Sequence, residues 1–289
     1  CDLFINGISG LSGLEYSLYA LKAGVKLALA NKESLIVGHK LMERADKDYL
    51  TKIIPVDSEH SALFQIHENL KKAEIDKIFI TASGGILKNR PLRKEPSPEM
   101  ILDHPNWDMG AVITVDSSTM VNKAYEVMEA HILFGLPLSR IEVLFHPQSA
   151  VHGMVRTIDG NVLMHYSPTD MAFPIRYALN FPDREKIEKE YKFHRTLEFQ
   201  PVNYDLYPNF HLFISTLKKG GRRGPALIYS NQCAVNLFLQ KKIQFSRIFE
   251  LNNYVAERFI DDDEFELDDL NRIRQSVDSI ISDYLGGKL

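Results

Sequence analysis

In the run Pro55-Val56-Asp57-Ser58-Glu59-His60, two carboxylates stand one residue apart. On extended backbone both would point to one side and could share a hard divalent cation. The competing reading is a helix N-terminus, with Asp57 as cap and Glu59 complementing the dipole. A second stretch favours the cation. Asn122, Glu126 and Glu129 recur at i, i+4 and i+7, with Lys123 beside Glu126, in a segment whose other residues (Met120, Val121, Val127, Met128, Ile132, Leu133) are apolar. Apolar residues around most of a helix predict burial, and buried Asn, Lys and Glu must pair with each other or with a ligand. The plainer alternative is an exposed Lys123–Glu126 pair at i,i+3. Ser83 before Gly84-Gly85 offers a hydroxyl and permissive backbone amides to a phosphate. His104-Pro105-Asn106-Trp107 puts a histidine and the only tryptophan on a loop, where an aromatic ring could cover a ligand. Asn31-Lys32-Glu33-Ser34 offers an amide and a cation, with helix capping by Asn31 as the competing account.

The elements that must hold these residues alternate. Residues 3–5, 25–30 and 52–56 read as strands, with helices over 14–23 and 33–44, the pattern of a parallel Rossmann-like sheet. In such sheets ligands gather beyond the carboxyl ends of strands, where Asn31 and Asp57 stand. Gly7, Gly10 and Gly13 are spaced GxxGxxG, not the GxGxxG of a dinucleotide fingerprint, so a strand-to-helix turn is the better reading. A helix is expected over 114–135, entered through Asp116 or Ser117 as cap. Strands over 141–145, 151–158 and 162–166 predict a small antiparallel sheet, the last two joined by a type I′ turn at Asp159-Gly160. A charged, aperiodic stretch reads as a linker, and amphipathic segments over 210–219, 226–241, 246–259 and 267–285 predict a helical bundle. The fold class is thus α/β. It divides into a sheet remnant over 1–55, a central α+β catalytic domain over 56–185, a linker over 186–208 and a C-terminal helical domain over 209–289.

Composition removes other classes. Lys and Arg total 34 against 38 Asp and Glu in 289 residues, a formal charge of −4, leaving no basic excess for nucleic acid. Cys1 and Cys233 form neither a disulfide framework nor a zinc motif, which fits a reducing cytoplasm. No apolar run is long enough for a membrane span and no signal peptide is recognisable. The opening Cys1-Asp2-Leu3-Phe4-Ile5 enters a strand at once, as if in mid-domain.

Together these stretches resemble the 1-deoxy-D-xylulose 5-phosphate reductoisomerase family of the non-mevalonate isoprenoid pathway. The resemblance runs over nearly the whole chain. It is carried by LANKESL (29–35), PVDSEHSALF (55–64), TASGG (81–85), HPNW (104–107), ITVDSSTMVNKAYEVME (113–129), HPQS (146–149) and SPTDM (167–171). It implies that Asp57, Glu59 and Glu126 bind Mg²⁺ or Mn²⁺, which would chelate substrate oxygens. It also implies that Lys32, Ser58, Ser83, His104, Ser117, Asn122 and Lys123 contact the sugar-phosphate substrate, with Ser83, Ser117, Asn122 and Lys123 around its phosphate. A helix start near Ser117 would suit that anion. Asn31, Glu33 and Gly110 match NADPH-contacting positions, and Trp107 and Met109 match a closing flap that meets the substrate. Lys32 and His104 count with the carboxylates as catalytic. The implied reaction is metal-assisted rearrangement followed by NADPH reduction to 2-C-methyl-D-erythritol 4-phosphate. The implied assembly is a homodimer, in a bacterial cytoplasm or a plastid-type organelle. The family's Gly-rich nucleotide loop has no counterpart here, so two alternatives stand: a metal-dependent sugar-phosphate lyase or isomerase without redox chemistry, and a truncated chain that binds without turnover. Ile86-Leu87, Ala111-Val112 and Gln232 depart from the family's usual residues, and little catalytic consequence is expected at Gln232.

Overall fold

A computed structural model describes residues 1–85, 87–89, 91, 94–103, 110–188, 191, 193–261 and 263–286. The first sheet is built from β1 (Leu3–Asn6), β2 (Lys26–Leu29) and β3 (Ile53–Pro55), all parallel and in that order. The crossovers are α1 (Gly13–Lys22) and the pair α2 (Lys32–Ala45) and α3 (Tyr49–Lys52). Gly24, at φ +72°, takes the left-handed turn after α1 that a side chain would resist. Asn31 does cap α2: its Oδ1 accepts the Ser34 N–H at 2.8 Å. The glycines at 10 and 13 serve close packing. A Cβ on Gly10 would lie 2.3 Å from Gln232 Nε2, and one on Gly13 2.8 Å from the Ile8 carbonyl.

Next come α4 (Ser58–His67), β4 (Ile75–Ala82), α5 (Pro98–Leu102), α6 (Ala111–Ser118), α7 (Val121–Phe134) and β5 (Ile141–Phe145). They are followed by β6 (Val151–Thr157), β7 (Val162–Tyr166), α8 (Ala172–Asn180) and β8 (Gln200–Pro201). The expected small antiparallel sheet is instead a five-stranded mixed sheet in the order β7-β6-β4-β5-β8. β4 and β5 are parallel because the helices between them carry the chain back to the same end, whereas β6 and β7 return by a hairpin. That hairpin is not type I′, which would need two left-handed residues. Only Gly160 is left-handed (φ +88°), and Thr157 N–H donates to Asn161 O at 2.9 Å, which closes a three-residue loop. The stretch read as a linker ends by pairing Gln200 and Pro201 with Phe145 and Leu144, so it supplies the edge strand of this sheet.

The helix expected over 114–135 is two helices. Met120, left-handed at φ +63°, breaks it, and Ser117 lies in the last turn of α6 with its hydroxyl donating to Ile113 O at 2.8 Å. It caps nothing, and the helix start expected there falls at Val121. Four helices complete the chain: α9 (Pro208–Lys219), α10 (Arg223–Leu239), α11 (Ser246–Arg258) and α12 (Asp269–Tyr284). They bury Phe213, Phe238, Leu251, Val255 and Val277, and one apolar core continues from Leu11 to Ile281. α9 packs on α7, and α10 on α6. No described helix is long and apolar enough to cross a membrane.

β6 supports α4 through Gly153. A Cβ there would lie 2.9 Å from Leu63 Cγ and 3.2 Å from the Glu59 carbonyl. Gly153→Val is therefore expected to push the first turn of α4 outward and cost about 1–3 kcal/mol in urea unfolding. Manganese affinity measured by calorimetry is expected to fall with it, because Glu59 moves.

Candidate metal and anion site

Three element ends deliver the charged groups to one place. β2 runs into Asn31 and Lys32, β3 runs into Asp57 and the first turn of α4, and α7 presents its opening turn from the other side. Asp57 occupies the N-cap position of α4 without a side-chain capping bond, and Glu59 lies within the helix. The extended backbone expected to align the two carboxylates is thus absent. They converge because one precedes and the other opens the same helical turn. Oxygens of Asp57, Glu59 and Glu126 lie within 4.8 Å of one another. They line a cavity of about 230 Å³ together with Lys32, Ser58, Ser83, Ser117, Asn122 and Lys123.

The ammonium of Lys32 lies 2.5 Å from Asp57 Oδ2, 2.9 Å from Asn122 Oδ1 and 3.4 Å from Glu126 Oε1. The Lys123 ammonium donates to Glu59 Oε1 at 2.9 Å, to Thr81 O at 2.6 Å and to Glu126 Oε2. The exposed-pair alternative for Lys123 and Glu126 therefore fails: both side chains are buried. Asn122 Nδ2 donates to Glu126 Oε1 at 2.6 Å, and Ser58 Oγ to Glu59 Oε2 at 2.5 Å.

Burial penalises every charge here, and the partners decide which persist. For Lys32, burial is outweighed by Asp57, Glu126 and Glu129, and the ammonium holds its proton more tightly than usual. For Lys123, burial is outweighed by Glu126 and Glu59 to the same effect. Asp57 is buried but lies well below the carboxylate range because of Lys32 and His60, and Lys123 likewise outweighs burial to lower Glu59. Glu126 differs: burial, with Glu59 nearby, raises it in spite of both lysines. It is the carboxylate of the three whose charge burial still disfavours.

Sequence reading missed the support behind these groups. His60 is fully buried; its Nε2 donates to Glu126 O at 2.8 Å, and Nδ1 faces Glu129 Oε2 at 3.3 Å and Asp57 Oδ2 at 3.5 Å. Burial opposes a charge on His60, but Glu129 and Asp57 raise it to about 9. Glu129 thus belongs behind the carboxylate trio and not in the cavity wall. The Thr81 carbonyl and the apolar walls Ile113, Met120 and Met171 were also missed. Only His60, inside the acidic motif, and Glu129, on the polar stripe, had a sequence signal.

Other expected residues are placed differently. Asn31 Nδ2 donates to Ile8 O at 2.5 Å and Gly10 O at 2.8 Å, so its amide is committed to the turn after β1. Glu33 Oε1 accepts the Gly10 N–H at 3.3 Å. Gly110 is exposed at the entry to α6. His104, Trp107 and Met109 lie outside the described residues.

Hard oxygen donors beside hydroxyls, an amide and lysines, set at strand ends of an α/β fold, are a donor set suited to a divalent cation next to a small anion, the kind of site found in α/β enzymes. The comparisons narrow this. Residues 1–39 match the profile of 1-deoxy-D-xylulose 5-phosphate reductoisomerase, residues 53–134 that of its C-terminal domain, and residues 166–280 a further C-terminal domain of the same enzyme. The reductoisomerase of Persephonella marina is 42% identical over 252 residues, 86% of this chain and 66% of that protein. That of a Sulfurihydrogenibium species is 39% identical over 286 residues, 97% of this chain and 74% of that protein. Among solved structures, the Zymomonas mobilis reductoisomerase in complex with NADPH superposes with a TM-score of 0.88 at 34% identity, covering 100% of this chain and 76% of the other. A reductoisomerase in complex with NADPH, fosmidomycin and magnesium gives 0.85 at 30% identity, covering 97% and 76%. This chain belongs to the 1-deoxy-D-xylulose 5-phosphate reductoisomerase family. It spans about two thirds to three quarters of the length of these relatives.

Proposed function

We propose that this chain supplies the metal and substrate site of an NADPH-dependent reductoisomerase that converts 1-deoxy-D-xylulose 5-phosphate to 2-C-methyl-D-erythritol 4-phosphate. The observation that carries the reading is the convergence of Asp57, Glu59 and Glu126 in one cavity with the lysines, Asn122 and the serines. These carboxylates suit Mg²⁺ or Mn²⁺, and when bound the cation supplies Lewis acidity to the substrate's ketone and hydroxyl oxygens. Lys123, Asn122, Ser83 and Ser117 hold the phosphate, while Lys32 and Ser58 orient the carbon chain. By the family resemblance His104 contacts the substrate as a catalytic residue, and Trp107 belongs with Met109 to the flap segment that meets it. Asn31 and Glu33, which hold the turn after β1, and Gly110 would contact NADPH, which supplies the hydride when bound.

The division into residues 1–55, 56–185, 186–208 and 209–289 is proposed as a functional one only, although a single apolar core crosses its boundaries and residues 200–201 pair in the second sheet. The cellular site proposed is the bacterial cytoplasm, in keeping with the bacterial relatives and two free cysteines.

Calorimetric titration with 1-deoxy-D-xylulose 5-phosphate, with Mn²⁺ present and then chelated, tests the site. Metal-dependent binding supports the reading, and substrate affinity indifferent to metal overturns it. In the intact-length protein, substrate loss without NADPH oxidation would select the non-redox alternative.

A homodimer is the assembly proposed. β7 is an edge strand whose Val162, Leu163 and Met164 are all exposed, so apolar side chains flank an unpaired backbone edge. Leu163→Lys is expected to convert the dimer to a monomer in size-exclusion chromatography with light scattering. An unchanged mass would place the interface elsewhere.

A further inference from the structure

The cation site and the anion site meet at the lysines: Lys123 is among the phosphate ligands proposed above, and Lys32 lies 2.9 Å from Asn122, another of them. Yet here the Lys123 ammonium bridges Glu59 and Glu126, two of the three carboxylates that would hold the metal. Lys32 does the same for Asp57, reaching Glu126 as well. Each carboxylate of the trio is therefore taken by an internal ammonium, and the two lysines carry the same charge as one divalent cation. A metal entering alone must compete with them inside a buried site. A phosphate entering alone must draw them away from carboxylates that would then stay buried and unpaired, which is costly.

Resting on that reading of the site, we propose that Lys32 and Lys123 are exchangeable counter-ions that couple metal binding to phosphate binding. When both ligands enter, the cation takes over the carboxylates and the lysines turn to the anion, so no buried charge loses its partner at any stage. The net charge of the cavity is unchanged, since a divalent cation and a phosphate dianion cancel. Linkage then requires the effect to be reciprocal: phosphate tightens metal binding by the factor by which metal tightens phosphate binding.

The geometry favours Lys123 as the larger contributor. Like that of Lys32, its ammonium touches two carboxylates of the trio, but it is also steadied by the Thr81 carbonyl at 2.6 Å, at the end of the strand that leads into Ser83. Glu59, Ser83 and Lys123 line one cavity, so the charge can pass from Glu59 to an anion at Ser83 without leaving it. Asn122 assists Lys32 in the same way, since its Oδ1 accepts from the Lys32 ammonium at 2.9 Å.

Isothermal titration of Mn²⁺ into this chain, with and without inorganic phosphate, provides the test. Manganese affinity is expected to rise roughly 5–10-fold with phosphate, within the usual range of coupling between sites. Complexation of manganese by phosphate in solution works against this and cannot imitate it. Lys123→Met, which removes a competing cation, is expected to bind Mn²⁺ more tightly than the parent without phosphate and to gain less from phosphate than the parent does. Unchanged manganese affinity in the parent with phosphate overturns the coupling, whether or not the variant folds. If Mn²⁺ binds, Glu126→Gln removes the binding and phosphate has no effect, only the coupling fails. Absence of manganese binding in the parent overturns the site reading and the coupling together.

Discussion

Glu126→Gln in the intact-length enzyme is expected to reduce metal-dependent turnover by roughly 10²–10³-fold or more, the scale on which a preorganised electrostatic contact matters. The substitution is nearly isosteric and keeps an oxygen for Asn122 Nδ2, which now donates to Glu126 Oε1 at 2.6 Å. What it removes is the charge of the carboxylate that faces both lysines. Fold stability is expected to change little, because burial already makes ionised Glu126 costly. Loss of manganese affinity by calorimetry with a near-parental melting temperature is the predicted outcome. Full activity in Glu126→Gln would remove this residue from the metal site.

The second large effect concerns stability and pH. Asp116, next to the cavity-lining Ser117, is buried; its Oδ1 accepts from Asn231 Nδ2 at 2.8 Å, and burial pushes its carboxyl up to about 7. Because the folded value lies above the unfolded one, the stabilising contribution is complete below about pH 4 and is lost as pH rises through about 7. Asp116→Asn keeps an acceptor for Asn231 and cannot ionise. At pH 8 it is expected to stabilise the chain by up to about 4 kcal/mol, from 1.36 kcal/mol per pKa unit. The gain should vanish near pH 4. Urea unfolding at pH 4, 6 and 8 measures it, and a gain that is the same at all three values would contradict the assignment. The effect reaches into the bundle, since Asn231 Oδ1 accepts from Asn252, which also accepts from Ser230.

The sequence was most informative where periodicity and local chemistry agreed. The parallel opening sheet follows from its alternating elements. The four closing helices follow from apolar stripes that are buried in the structure, such as Ile248, Leu251 and Val255 on α11. The mixed sheet was misread because β4 and β5 are brought side by side across a connection of more than fifty residues, and such pairing leaves no local trace. The break at Met120 was hidden for another reason. A methionine in a left-handed conformation is a tertiary imposition that propensity argues against. At the site, Asn122, Lys123, Glu126 and Glu129 were legible as a buried polar set, and Asp57 and Glu59 as a separate pair of carboxylates. Their mutual pairing was not, because it depends on three element ends meeting, and the backing by His60 needed the helix on which it lies.

The long reach of these buried pairs also orders events in time. Lys32 meets Asn122 and Glu126 across 90 and 94 residues, and Asp116 meets Asn231 across 115. Bringing such ends together is entropically slow, and during synthesis the later partner does not yet exist. The first sheet can form as it leaves the ribosome, but Lys32 and Asp57 must stay hydrated until the turn carrying Asn122 arrives. Asp116 waits longer, for helix α10. The cavity therefore cannot dry before Asn122 and Glu126 have been made, nor the carboxyl of Asp116 before Asn231, so the buried charges settle in the order in which their partners are synthesised.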